Sequence, residues 1–200
     1  MTVGFILEGG PSGPDQMVFK ILLQRLRPGS KVICVTLGPK PNLISQSGEV
    51  TATLFQKGCD CVIIVWDLYP AWGMRGPKKP CLKKDREDIR KSLSAAAVTS
   101  SRVHLVCIHK MLEAWLLADE RAISAFLSKL KKKTVSVPRT KRPEDPIKPK
   151  KLLGQIFEEH AGSKFQAHIH AESIIKEVKD FKRLEQCKSF TYFRLKLADC

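Results

Sequence analysis

Nothing in this 200-residue chain is long and apolar enough to cross a membrane: the longest unbroken apolar run, residues 61–66, is six residues, and a spanning helix needs about 20. Met1 to Leu7 has no basic start and runs directly into Glu8, so it reads as a strand and not as a signal peptide. The seven cysteines are odd in number and follow no framework of even spacings. Cys34, Cys61 and Cys107 lie inside apolar runs, where a free thiol behaves as a small hydrophobe. These features lead us to expect a reducing, cytoplasmic setting. Cys59 and Cys61 have no partner pair at finger spacing, which argues against structural zinc. Acidic residues are scarce, 20 against 35 Lys and Arg, for a formal charge of +15. Such an imbalance points to a polyanionic partner, nucleic acid above all, and says nothing about fold. With 43% hydrophobic residues, the composition excludes collagen, coiled coil and a wholly disordered chain.

Four apolar runs, at 2–7, 31–37, 60–66 and 102–108, alternate with helical patterns. Runs such as VICV and VIIVW lack in/out alternation, the mark of strands covered on both faces. The first helix begins near Pro14, carries Val18, Ile21, Leu22 and Leu26, and stops at Pro28-Gly29. Further helices are expected over 43–57, 83–97 and 111–130, the last broken near Asp119, whose carboxylate caps a second segment. Two shorter ones follow near 151–160 and 170–186. Right-handed crossovers then give an α/β fold with a small parallel sheet. We expect an α/β domain over 1–130, a basic proline-rich loop or arm over 131–150, and a helical extension over 151–200 packed on the same domain. The cluster Phe190, Tyr192 and Phe193 is expected to dock on the core.

The charge is localised. Residues 75–91 hold eight basic and three acidic side chains, and residues 129–151 hold ten and two, so the two segments carry 13 of the 15 excess charges. Two such patches suit a phosphate backbone. The nucleic-acid contacts expected are Lys78, Lys79, Lys83, Lys84, Lys131, Lys132, Lys133, Arg139, Lys141 and Arg142. Solvated loops on a basic protein are the plainer alternative. Trp72 is placed either to stack on a base or to pack on the core.

Ligands of open α/β sheets sit beyond the carboxyl ends of the strands. There the sequence places Glu8 after the first strand, Asp67 after the third and His109 after the fourth, with Glu113 one helical turn on. Carboxylates that follow apolar runs need a metal or a cationic partner, since an isolated buried charge is unfavourable. Converging carboxylates suit Mg²⁺ or Mn²⁺. The loop between Glu8 and Asp15 is glycine-rich and enters a helix, either to hold a phosphate or simply to turn tightly. It lacks the Gly-Lys-Ser/Thr of a nucleotide loop and the glycine spacing of a dinucleotide fold.

The segments ILEGGPSGPDQ, VIIVWD, HKMLEAWLLAD, KKLLGQIF and SFTYFRLKL, in this order, resemble the Toprim-like family catalogued as domain of unknown function 4276. The resemblance covers nearly the whole chain, with EAWLLAD its most characteristic motif. It implies a Toprim fold, as in primases, topoisomerases and nucleases, with Mg²⁺ held by a glutamate after the first strand and an Asp-x-Asp after the third. Glu8 and Asp67 match the glutamate and the first aspartate, and Glu113 a further acidic position; the second aspartate is replaced by Tyr69. The expected function is a metal-dependent nuclease of a bacterial defence or repair system. Catalytic residues would be Glu8, Asp67, Glu113 and His109, with Asp67, Glu8 and Glu113 as metal ligands. The alternative is a degenerate Toprim module that binds nucleic acid or a partner ATPase without cutting.

Overall fold

A computed structural model describes residues 1–69, 80–145 and 148–200. Four strands, β1 (Thr2–Leu7), β2 (Lys31–Thr36), β3 (Cys61–Asp67) and β4 (Val103–Ile108), form one parallel sheet in the order β2-β1-β3-β4. The runs without alternation are explained by cover on both faces. Val3, Phe5, Leu7, Cys61, Ile63, Val65, Val106 and Ile108 face one core. Ile6, Val62, Ile64, Trp66 and Cys107 face the other.

The second face is covered by α2 (Lys40–Gln56) and α3 (Leu82–Ala95). α2 starts three residues before the expected Leu43, because Pro41 falls in the first turn, where a missing N–H is no loss. Helices α2 and α3 meet at Gly48, whose N–H donates to Ser92 Oγ at 3.0 Å. A Cβ there would sit 2.1 Å from the Ser92 carbonyl oxygen. Gly48→Ala must therefore push the two helices apart, and a loss of about 3 kcal/mol is expected in urea unfolding. A variant as stable as wild type would show that this helix contact is not tight.

The first face carries α1 (Asp15–Leu26), α4 (Glu113–Leu117), α5 (Glu120–Lys131), α6 (Pro149–Ala161), α7 (Ala167–Glu177) and α8 (Lys188–Ala198). The expected break at Asp119 separates α4 from α5: Asp119 Oδ1 accepts from the N–H groups of Arg121 and Ala122. α7 ends at Glu177, well short of 186. Arg25 of α1 donates to Ile175 O in its last turn and to Lys179 O just beyond its end, and the chain continues through a 3₁₀ turn at Leu184–Gln186. Phe190 and Phe193 of α8 are fully buried around Trp115, whose indole N–H donates to Ser189 Oγ at 2.8 Å.

The basic segment after α5 is held against the body. Val135 and Val137 are buried, and their N–H groups donate to Ser128 Oγ and Ser124 Oγ on α5. One cysteine reading is corrected. Cys61, expected as a free buried thiol, is bonded to Cys200, 139 residues away, with the Cα atoms 5.4 Å apart. The pairing was invisible to local pattern, since α8 alone returns Cys200 to the start of β3. Cys34 and Cys107 are free, Cys107 being buried as expected. Among the described residues no helix is long and apolar enough to cross a membrane.

Candidate active site at the carboxyl edge of the sheet

The parallel register puts the ends of β1 and β3 side by side, Leu7 opposite Val65. Glu8 extends that ladder by donating its N–H to Val65 O, and its Oε2 accepts the N–H of Asp67 at 3.1 Å. The two carboxylates picked from sequence therefore share one place. Beyond Glu8 the chain turns at Gly9, with φ +111°, and Gly9 pairs with Gly38 after β2. A Cβ on Gly9 would lie 3.1 Å from Asp15 Oδ2, and one on Gly13 would lie 3.4 Å from the same atom. The glycines thus make room for the Asp15 carboxylate at the start of α1.

Asp15 was not among the residues expected here. It lies in the glycine-rich loop, but an acid in a helix's first turn is the ordinary complement to the helix dipole, which hides any other role. Glu113, buried at the start of α4, completes the group.

These carboxyls are crowded and poorly solvated. Burial pushes Glu8 up to about 7, with the Lys40 ammonium and the N–H groups of Asp67 and Lys40 pulling it back. Burial, then the charges of Glu113 and Glu8, raises Asp15 to about 7. Asp67 is raised well above its usual range by burial and then by Asp15, Glu8 and Glu113. Burial also raises Glu113, against the pull of its own backbone N–H and of Lys150 on α6.

Lys40 was likewise missed. A lysine opening a helix opposes the dipole, and that misfit was the available signal. It is buried: Nζ donates to Leu68 O at 3.2 Å and pairs with Asp85 Oδ2 at 3.4 Å, an oxygen that also accepts the Trp66 indole N–H. Lys40 thereby ties α2 and α3 to the chain just past Asp67.

His109 has its Nδ1 3.6 Å from Glu144 Oε2. Glu144 in turn accepts the N–H groups of Lys188 and Ser189 at the start of α8. Burial acts to raise Glu144, but its contacts with His109 and Ser189 hold its carboxyl below the usual value. The partner His109 makes is therefore a helix-capping carboxylate. Tyr69, where the second aspartate was expected, has its ring 4.4 Å from the Lys110 ammonium.

Two openings of about 640 Å³ each are lined by residues next to the carboxylates in sequence, Leu68 and Tyr69 in one and Ser12–Pro14 in the other, but by none of the four carboxylates themselves. Tyr69, His109, Lys110, Lys141, Arg142 and Lys188 contribute to the wall of one. The other lies between Ser12–Pro14 and the starts of α6 and α7, with Lys150 and His168 on its wall.

The expected nucleic-acid contacts do not form one surface. Lys141 and Arg142 line the first opening, where Lys110 and Lys188 join them; Arg139 donates to Gln186 Oε1 beside it. Lys83 and Lys84 lie on the outer face of α3, paired with Glu87 and Asp88. Lys131 caps Ala161 O at the far end of α6, with Lys132 and Lys133 next to it. α6 has 13 residues, so these lysines lie about 20 Å from its Lys150 end. Lys78, Lys79 and Trp72 fall outside the described residues.

Among the described residues, Cys61, His104 and Cys200 are the one set of three or more His, Cys, Asp or Glu whose ligand atoms lie within 4.8 Å of one another. The Glu8, Asp67 and Glu113 carboxylates are spread more widely than that. Neither a curated protein nor a solved structure matches the chain. A family model, described as Domain of unknown function (DUF4276), matches residues 20–198; it takes in Asp67 and Glu113 and begins after Glu8 and Asp15. With that match running over most of its length, the chain belongs to the DUF4276 family.

Proposed function

We propose that this protein is a metal-dependent phosphodiesterase acting on nucleic acid, a nuclease of Toprim type. The observation that carries the reading is the gathering of Glu8, Asp15, Asp67 and Glu113 at the carboxyl edge of a parallel sheet, with raised carboxyl pKa values. The donor chemistry fits a hard divalent cation, all oxygen and crowded with like charge that such an ion relieves. Asp67, with Glu113 as a further ligand and Glu8 through water, would hold Mg²⁺ or Mn²⁺, which when bound would neutralise the charge that develops on a scissile phosphate.

The chain's own groups divide the remaining work. Lys40, fixed by Asp85 and Leu68 O, holds positive charge beside Glu8 and Asp67. Glu8 is fixed by the Asp67 N–H and is the candidate for moving a proton to or from the reacting oxygen. Lys110, Lys141, Arg142 and Lys188 line an opening that a phosphate backbone would follow.

A second reading is favoured by Tyr69, which leaves the carboxylate set one member short, and by the wide spacing of the remaining carboxylates. On that reading the protein binds nucleic acid, or a partner ATPase, without cleaving.

The two are separated by a cleavage assay on labelled single- and double-stranded DNA and RNA with Mg²⁺ or Mn²⁺, comparing wild type with Glu8→Gln. Cleavage by wild type alone supports the enzyme. Equal cleavage by both removes Glu8 from the mechanism. Salt-sensitive binding with no cleavage under any condition supports the binding module.

A further inference from the structure

At the opposite edge of the sheet lies a second cluster that the proposed nuclease chemistry does not use. Cys61 opens β3, and Asp67 closes it six residues later, about 20 Å away. The β3–β4 register sets Ile63 opposite His104, so Cys61 and His104 point to the same face, the one covered by α8. α8 runs back along β4 and delivers Cys200 to Cys61. The two sulfurs and a His104 ring nitrogen lie within 4.8 Å of one another.

His104 is 8% exposed, and its Nε2 is buried without a hydrogen-bond partner. A buried polar atom with no partner calls for an explanation, and an ion is one that a neighbouring pair of sulfurs favours. We infer that Cys61, Cys200 and His104 form a thiolate–imidazole site for Zn²⁺ that is open only when the Cys61–Cys200 bond is reduced.

The chemistry is consistent at each point. Two sulfurs and one imidazole are a soft donor set, which selects Zn²⁺ over Mg²⁺. Zn–S bonds of about 2.3 Å in a tetrahedral site place two sulfurs about 3.8 Å apart. Opening the disulfide reaches that spacing by side-chain rotation, and the fourth position is left to water. Burial, and after it the Lys196 charge, lower the His104 pKa against the pull of Asp199, a direction that favours the neutral imidazole a metal needs. His104 also forms part of the wall of a surface cavity of about 450 Å³, which gives an ion a route in.

The redox step balances with an external thiol or phosphine reductant. Two electrons and two protons convert the disulfide to two thiols, and Zn²⁺ then displaces both protons. A disulfide is the form an oxidising compartment favours, and the metal site the form a reducing one permits. Cys61 and His104 lie within the family match at 20–198, and Cys200 lies two residues beyond its end.

The experiment uses the full chain, freed of metal and prepared in two forms: oxidised, and reduced with a phosphine. Each is titrated with Zn²⁺ against a chromophoric chelator, and with Co²⁺, whose thiolate charge-transfer band reports sulfur ligation. The expected result is one more tight Zn²⁺ equivalent in the reduced chain than in the oxidised one, with a thiolate–Co²⁺ band in the reduced form alone. Cys200→Ser and His104→Gln should each weaken this thiol-dependent binding roughly 100-fold, while Asp67→Asn leaves the thiolate–Co²⁺ band unchanged. The last variant makes the outcome independent of the nuclease proposal. Cys200 lies two residues beyond α8, and thermal unfolding of Cys200→Ser is measured alongside, a cooperative transition being expected. Failure of the reduced wild type to bind, or binding that survives both Cys200→Ser and His104→Gln, overturns the site. Binding of the second kind belongs to other thiols, such as the exposed Cys81.

Discussion

Asp67→Asn is expected to lower metal-dependent cleavage by at least about 100-fold while making the metal-free protein more stable. The two effects share one cause. Asp67 is desolvated and surrounded by Asp15, Glu8 and Glu113, so its ionised form is disfavoured until a cation arrives. Asparagine keeps the shape and removes the charge, which relieves the repulsion and loses the ligand.

The pH dependence has a definite sign. A carboxyl whose folded pKa is raised holds its proton longer in the native state than in the unfolded chain. Its contribution to stability is therefore fully present below the unfolded value and is lost as pH rises through the folded one. Glu8, moving from 4.5 to about 7, and Asp15, from 3.8 to about 7, place the loss between about pH 4 and pH 7. Below pH 4 the protonated Asp67 and the asparagine of the variant are equivalent. Asp67 shifts in the same direction, so the melting temperature of metal-free Asp67→Asn should draw ahead of wild type as pH rises above about 4. Added Mg²⁺ should raise wild type and leave the variant where it is. A melting difference that stays constant from pH 5 to pH 8 would remove the carboxylate crowding from the account, and undiminished cleavage would remove Asp67 from the chemistry.

Lys40→Ala is expected to destabilise the fold by about 3–5 kcal/mol. Lys40 is 4% exposed and Asp85 7%. Truncating the lysine leaves Asp85 buried with the Trp66 indole N–H as its remaining partner and leaves Leu68 O without its donor. It also removes the cation that holds Glu8 and Asp67 down, so both carboxyls move further up. Lys84→Ala is the natural comparison: its pair with Asp88 is at 3.3 Å, but the lysine is solvated, and the change should stay within about 0.5 kcal/mol. Replacing both buried partners, Lys40→Met with Asp85→Leu, should recover most of the loss, because no unpaired charge then remains. Urea unfolding of the four proteins tests the set. A Lys40→Ala variant no less stable than Lys84→Ala would mean that the buried pair does not hold α2 and α3 to the sheet.

What could be read from the sequence was whatever local pattern controls. Apolar runs without alternation announced strands covered on both faces, and the four runs became the four strands. Asp119 announced the break between α4 and α5, because capping depends only on neighbouring N–H groups. Glu8 and Asp67 could be paired in advance, since adjacent parallel strands bring their carboxyl ends together. The basic patches were visible as composition, but their distribution over three separate places was not; it depends on where helix ends fall in space.

Long-range packing decided the rest. Asp15 joins the carboxylates because Gly9 and Gly13 leave room for it. Lys40 and Asp85 meet because α2 and α3 lie together on one face of the sheet. Arg25 reaches the last turn of α7 from 150 residues away. Cys61, His104 and Cys200 come from two strands and the end of α8, so no spacing along the chain could show that their ligand atoms converge. Periodicity and capping are short-range properties that the sequence carries in itself. Which charges and thiols become neighbours depends on strand register and helix docking, and those exist only once the chain has folded.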